Sequence, residues 1–190
     1  VKKVVVVGVG ALGSHVVQFL RNEAEIKVID FDKVEQKNTL SQFHARNSAG
    51  KSKVQSLQQA MSFLWGAKIE VNPHKLVGDN ARQLLGGADL ILDCLDNGDA
   101  RRVVQGFVRE NNIACLHGAL AADGALGRVV WDEDFRIDDS AAGVATCEDG
   151  AHLPFIGIAA CYLARAAQEY LSSGKKLGFQ VYPKGSATRI

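Results

Sequence analysis

The stretch VVVVGVGALGSHV, Val4 to Val16, constrains the fold more than any other part of the chain. A run of valines favours extended backbone, and the glycines that follow it at positions 8, 10 and 13 open a segment of helical period. Gly8 permits a tight turn, Gly10 removes a side chain where a phosphate must approach, and Gly13 lets helix and strand pack closely. The helix N-terminus then offers free N–H groups to an anion. Asp30 ends the next apolar run, seventeen residues after Gly13, where a carboxylate can accept hydrogen bonds from a ribose. Glycines that merely form a turn, with Asp30 capping the next element, are the plainer alternative. Placement between strand and helix, with the acid at that spacing, favours a nucleotide.

Around this turn the chain alternates. KKVVVVG, IKVID, AKIEVN, ADLILDC, NIACLHG and GRVVW read as strands, and segments 11–22, 51–64, 79–86 and 99–111 as helices. Continuous apolar runs belong to strands covered on both faces, so the expected fold is α/β and Rossmann-like, a doubly wound, mainly parallel sheet with helices on both faces. From Pro154, PFIGIAACYLARAAQEYL is apolar almost all round and ends near SSGKK, as a buried helix with a glycine stop does; a last strand, GFQVY, follows. The segment 132–153 is acidic and aperiodic and reads as a long crossing loop. With 190 residues and 47% apolar content, one domain over 1–190 is expected. The 22 basic and 21 acidic residues leave a net charge of +1, which supplies no electrostatic case for nucleic acid or an anionic membrane. No apolar stretch approaches the roughly 20 residues that cross a bilayer, and the start lacks a signal-peptide pattern, so a cytoplasmic location is expected. Cys94, Cys115, Cys147 and Cys161 form no C-x-x-C pair, so neither a zinc site nor a disulfide framework is suggested.

The segment after Asp30, DFDKVEQKNTLSQFHARNSAGKSKV, says more about the ligand. An NAD-dependent oxidoreductase needs only ribose recognition there. Here Asp32, Asn38, Gln42, Arg46, Lys51 and Lys53 crowd beside the phosphate turn, and amide donors with ammonium groups suit a triphosphate better than a dinucleotide.

The ordered set GVGALGS, IDFDKVEQKN, Gln42, GKSKV and ILDCLDN resembles the ThiF/MoeB-type adenylating enzymes related to ubiquitin-activating enzymes, over roughly residues 3–172. The resemblance implies an ATP-dependent adenylyltransferase that activates a carboxylate, from a small molecule or the C-terminus of a small carrier, as an acyl-adenylate with release of pyrophosphate. Asp30 then holds the ribose, and Asn38, Gln42 and Lys53 surround the triphosphate; Lys53 is preferred to Lys51 because it stands three residues after Gly50. Asp96 matches the aspartate that positions Mg2+. The full candidate nucleotide set is Gly8, Gly10, Ala11, Leu12, Gly13, Asp30, Asp32, Asn38, Gln42, Arg46, Lys53, Leu95, Asp96 and Asn97. Taken singly, Lys51 and Lys53 also suit a helix's solvated first turn, and Asp96-Asn97 a helix N-cap.

The pattern departs from the family in three places. Ser41 stands where an arginine normally contacts the phosphates, and a hydroxyl does not replace that cation. The sequence begins almost directly at the first strand, without the N-terminal arm arginine that family homodimers send into the neighbouring site, and the zinc-binding cysteine pairs are missing; a homodimer is nonetheless implied. Cys147 resembles the family's reactive cysteine and is the candidate nucleophile, although Glu148 and Asp149 beside it disfavour a thiolate. The other cysteines are expected to be buried, and His117 and His152 to serve a substrate carboxylate, a proton transfer or, more ordinarily, structure. A non-catalytic nucleotide-binding partner protein is the remaining alternative.

Overall fold

The computed structural model describes residues 1–121, 123–137 and 150–190. Its elements run β1 (Lys3–Val7), α1 (Ala11–Leu20), β2 (Glu25–Ile29), α2 (Lys53–Trp65), β3 (Ile69–Asn72), α3 (Gly78–Leu85), β4 (Leu90–Asp93), α4 (Gly98–Asn111), β5 (Cys115–Leu120), β6 (Gly127–Trp131), α5 (Leu153–Ser173), β7 (Phe179–Val181) and β8 (Ala187–Arg189). Two short 3-10 turns, Gln36–Leu40 and Arg46–Ser48, lie between β2 and α2. The strands form one sheet of order β3-β2-β1-β4-β5-β6-β7-β8.

The β3-β2-β1-β4-β5 half is parallel, with Val4 opposite Ile26 on one side and Leu90 on the other. Beyond β5 the pairings turn antiparallel. The connection of 121–126 explains the switch: six residues suffice for a hairpin, whereas a parallel crossover needs a dozen or more. The doubly wound expectation therefore holds for the first five strands, and GRVVW and GFQVY extend the sheet antiparallel. β8 was not foreseen; ATR is too short and polar to carry a strand pattern.

Alternation along the strands divides the core. Val4, Val6, Ile26, Val28, Leu90, Leu92 and Leu116 point to α1, α2 and α5, while Val5, Val7, Ile29, Ile91 and Cys115 point to α3 and α4. α5 starts with Pro154 in its first turn, where a missing N–H costs nothing, and ends at Gly174, φ 75°. It is buried along Phe155, Ile156, Ala159, Ala160, Leu163 and Ala164 but not all round: Cys161 is exposed, correcting the expectation of a buried thiol. No helix among the described residues is long and apolar enough to cross a membrane.

The sheet reverses its winding at β1, whose neighbours are β2 and β4. Such a switch point opens a crevice at the C-terminal strand ends, and the glycine turn sits in it.

Candidate functional site

The three glycines do three different things. Gly8 has φ +86°, and a Cβ there would lie 3.0 Å from the Cys94 carbonyl oxygen, so the turn is pressed against the chain leaving β4. A Cβ on Gly13 would fall 1.8 Å from the Gly8 carbonyl oxygen, an impossible approach. Gly10 is open: the nearest atom to its hypothetical Cβ is Gln42 Nε2 at 3.9 Å. It begins α1, whose first turn has no side-chain cap and no acidic residue, so the amide dipoles face that space unopposed. Ala11 stands at this mouth. Leu12 does not: its side chain is buried in the core, and only its backbone belongs to the turn.

Asp30 ties the turn to the end of β2. One carboxylate oxygen accepts from Val9 N at 2.8 Å and the other from Asp32 N at 2.9 Å. Burial pushes its pKa up, opposed by the Lys53 charge and the two amide donors. Each oxygen keeps a second lone pair for a hydroxyl. Lys53, the first residue of α2, is buried; its amide donates to the Asp32 carbonyl at 2.9 Å and its Nζ to Asp32 Oδ2 at 3.1 Å. Lys51, by contrast, is exposed.

The segment between β2 and α2 is folded back over α1. Phe43 N donates to Ser14 Oγ at 2.8 Å, His15 Nε2 to the carbonyl of Ser41 at 2.9 Å, and His44 Nε2 to the carbonyl of Val9 at 2.9 Å. These bonds bring Gln42 to Gly10 and leave its Oε1 buried without a partner among the described residues. Asn38 Oδ1 accepts from the Glu35 amide at 2.8 Å, closing the 3-10 turn, and its NH2 remains for a ligand. Arg46 is exposed in its own turn and bonds to none of the site residues. Ser41, where the family arginine was expected, is buried beneath this segment.

On the other flank, Leu95 N donates to Asp93 Oδ1 at 3.0 Å and Cys94 N to the Val7 carbonyl at 2.9 Å. Asp96 is exposed and its carboxylate has no partner among the described residues. Asn97 uses its side-chain oxygen to cap α4, accepting from Ala100 N at 2.8 Å; here the plainer N-cap role is the one the structure displays. The Lys53 and Asp96 segments thus meet the glycine turn from opposite sides, one through Asp32 and Asp30, the other through the 94–95 backbone against Gly8.

His15 and His44 were missed from the sequence, where a histidine near a glutamine carries no periodic signal. His44 is buried with Nδ1 unpartnered among the described residues; burial chiefly, with Lys53 and His15 adding, lowers its pKa to about 4. It therefore acts as a neutral clamp on the turn. Of the two histidines singled out earlier, His117 is wholly buried between Asp93 and Asp132, while His152 stands at the head of α5. Cys115 is buried and Cys94 only half-buried, and both thiols are pushed up by desolvation and then by the Asp93 charge; Cys94 lies just past β4 rather than in it. Cys147 and most of the 132–153 segment lie outside the described residues.

The sequence of the ThiF family matches residues 1–182. The adenylyltransferase and sulfurtransferase UBA4 of Lodderomyces elongisporus is 29% identical over 181 residues, covering 85% of this chain and 38% of that protein. The molybdopterin-synthase adenylyltransferase of Salmonella typhimurium is 27% identical over 188 residues, covering 90% of this chain and 73% of its own length. This chain thus spans little more than a third of the first relative. In three dimensions, E. coli MccB solved with ATP superposes with a TM-score of 0.79 at 14% identity, over all of this chain and 63% of MccB. With the glycine turn, the flanking segments and this match over nearly its whole length, the chain belongs to the ThiF family.

Proposed function

We propose that this chain is an ATP-dependent adenylyltransferase: a carboxylate oxygen attacks the α-phosphorus of ATP, a new acyl–O–P bond forms, and the bond to the leaving pyrophosphate breaks. The observation that carries this reading is the meeting at one glycine turn of an uncapped helix start, the Gln42 amide beside the open Gly10, and Asp30, which holds the Val9 amide and through Asp32 reaches Lys53. Phosphate oxygens at Gly10 meet the first-turn N–H groups of α1, and Asp30 accepts from the ribose. Lys53 swings from the half-exposed Asp32 to the phosphates, where its charge offsets that of the leaving group. Positioning and charge compensation account for most of such a reaction.

Magnesium fits the flank of Asp96. A hard, exposed, unpaired carboxylate oxygen is what Mg2+ takes from protein when phosphates and water complete its shell. When bound there it supplies charge neutralisation to the phosphates. Asp32 lies with Lys53 on the opposite flank of the turn and Asp93 is buried in another network, so Asp96 is the residue that would hold it.

The names of the relatives support a carboxylate at a carrier's C-terminus or on a small molecule, in sulfur-carrier or cofactor biosynthesis. A single adenylation domain, a homodimer, a cytoplasmic location and a reactive Cys147 belong to the same proposal. A dehydrogenase sharing the turn leaves Gln42, Lys53 and Asp96 without a task. The test is exchange of labelled pyrophosphate into ATP with a panel of acids. Acid-dependent exchange that falls by about a hundredfold or more in Asp96→Ala and Lys53→Ala supports the reading; exchange indifferent to both, or binding of NADH and not ATP, overturns it.

A further inference from the structure

One face of α4 is polar at every fourth residue, Asn97, Arg101, Gln105 and Arg109, and the middle of that stripe is buried against the sheet. Facing it, His117 on β5 lies between two carboxylates. Its Nδ1 is 2.6 Å from Asp93 Oδ2 and its Nε2 is 3.0 Å from Asp132 Oδ1. His117 and Asp93 are 0% exposed. Carboxylates only accept, so both bonds are complete when each ring nitrogen carries a hydrogen. Phe135 stacks on the ring with centroids 4.2 Å apart. Asp132 is held in turn by Gln105 at 2.9 Å and Arg109 at 2.7 Å.

What this network grips at its upper end is one peptide of the candidate nucleotide site. Asp93 presents Oδ2 to His117 and, at 3.4 Å, to Arg101, and turns Oδ1 to the amide of Leu95 at 3.0 Å. Arg101 donates to the carbonyl of that same Leu95 and, at 3.0 Å, to the carbonyl of Gly118. Both polar groups of residue 95 are therefore fixed by side chains, and the orientation of one of them is set by His117. Asp96 is the next residue.

We infer that His117, bridging Asp93 and Asp132, is a positioning residue that holds the Cys94–Asn97 loop, and with it Asp96, in place against the glycine turn. Its link to a nucleotide rests on the adenylyltransferase reading; the ordering of the loop does not. Losing the bridge leaves the Asp93 Oδ2 held by Arg101 alone, and the acceptor of the Leu95 amide is less firmly placed. Groups that orient a ligand-bearing residue at one remove are worth about ten- to a hundredfold in affinity.

The experiment compares His117→Gln and Asp132→Asn with Leu163→Ala, which weakens the opposite face of the sheet. Amide hydrogen exchange is followed peptide by peptide, and MgATP and adenosine binding by calorimetry. Glutamine cannot donate from both ends, and asparagine removes one charge without changing shape. The expected result is exchange about tenfold faster at 94–97 in both seam variants than in Leu163→Ala at matched global stability. MgATP should bind about tenfold more weakly, with adenosine, held through Asp30, unchanged. Exchange at 94–97 that rises no more than in Leu163→Ala overturns the inference. Should His117→Gln fail to fold, Asp132→Asn decides. If the wild type binds no ATP, the functional reading fails, and the exchange measurement alone judges His117.

Discussion

On the side of α1, α2 and α5 the sheet presents Val4, Val6, Leu90, Leu92 and Leu116 to helices that answer with Val16, Val17, Leu57 and Leu163, and the contact is apolar. On the side of α4 the same strands continue Ile91 to Asp93 and Cys115 to His117, so the apolar row ends in a carboxylate and an imidazole while still buried. The first surface gains from area removed from water, roughly 25 cal/mol per Å2, wherever shapes fit. The second must satisfy every donor and acceptor, because a buried charge without a partner costs more than an unfilled cavity. One face thus tolerates graded damage, whereas the other should fail abruptly at a single atom.

The largest effect expected follows directly. Asp93→Ala strips Arg101 of its counter-charge and His117 of an acceptor and should cost about 3–5 kcal/mol, the usual consequence of leaving buried partners unpaired. Leu163→Ala, at a fully buried site on the apolar face, should cost about 2–4 kcal/mol. Denaturant titration of both at neutral pH checks the ranking; a smaller loss in Asp93→Ala would show that the seam carries less than its geometry suggests. Acid should separate the faces too. Burial alone would raise the Asp132 pKa, but hydrogen bonds from Arg109, His117 and Gln105 outweigh it and hold the pKa below the usual carboxylate range. The stability this group contributes is present above its unfolded pKa and is lost as pH falls through the lower folded one.

The same contrast explains what could be read in advance. β1, β2 and β4 announced themselves because both faces of a parallel strand are apolar over most of their length, and Gly8, Gly13 and Asp30 because backbone sterics leave few alternatives at those positions. The glycine stop of α5 was legible for the same reason. Arg101, Gln105 and Arg109 were not: a polar stripe at intervals of four is what a solvated helix face also looks like, and only the sheet opposite shows that this one is covered. His117 in NIACLHG is one polar residue in an apolar run, and its partners Asp93 and Asp132 are 24 and 15 residues away along the chain. Local period cannot report such distances. Ser14, His15 and His44 were hidden by the same non-locality, since each acts on a backbone group brought near by the fold.

A middle-sized effect belongs to His44, the clamp at the glycine turn. Its folded pKa of about 4 lies below the unfolded value of 6.5, so between these values the unfolded chain takes up a proton that the folded chain refuses. Stability should therefore fall as pH drops from about 6.5 to about 4, by as much as about 3 kcal/mol once both values are passed. His15 contributes in the same direction, its pKa lowered by burial despite the bond to Ser41. Thermal unfolding of wild type and His44→Gln across this range checks the claim: the variant starts less stable at neutral pH, and the two curves converge toward pH 4. Parallel curves would place the proton elsewhere.

The smallest effect on stability is the sharpest for function. Gly10→Ala puts a methyl group where nothing lies nearer than the Gln42 amide at 3.9 Å. The folded chain should accept it within about 0.5 kcal/mol. Gly13→Ala, which would meet a carbonyl oxygen at 1.8 Å, should not refold the turn at all. If the open space at Gly10 exists for a phosphate, the same methyl group should weaken ATP binding by about tenfold or more while leaving the melting temperature in place, because the space is vacant only to protein atoms. Binding and melting measured on one preparation separate the cases. A Gly10→Ala protein that melts normally and binds ATP as the wild type does would mean that the opening beside Gln42 is a packing accident, and that neither face of the sheet points its machinery at a nucleotide there.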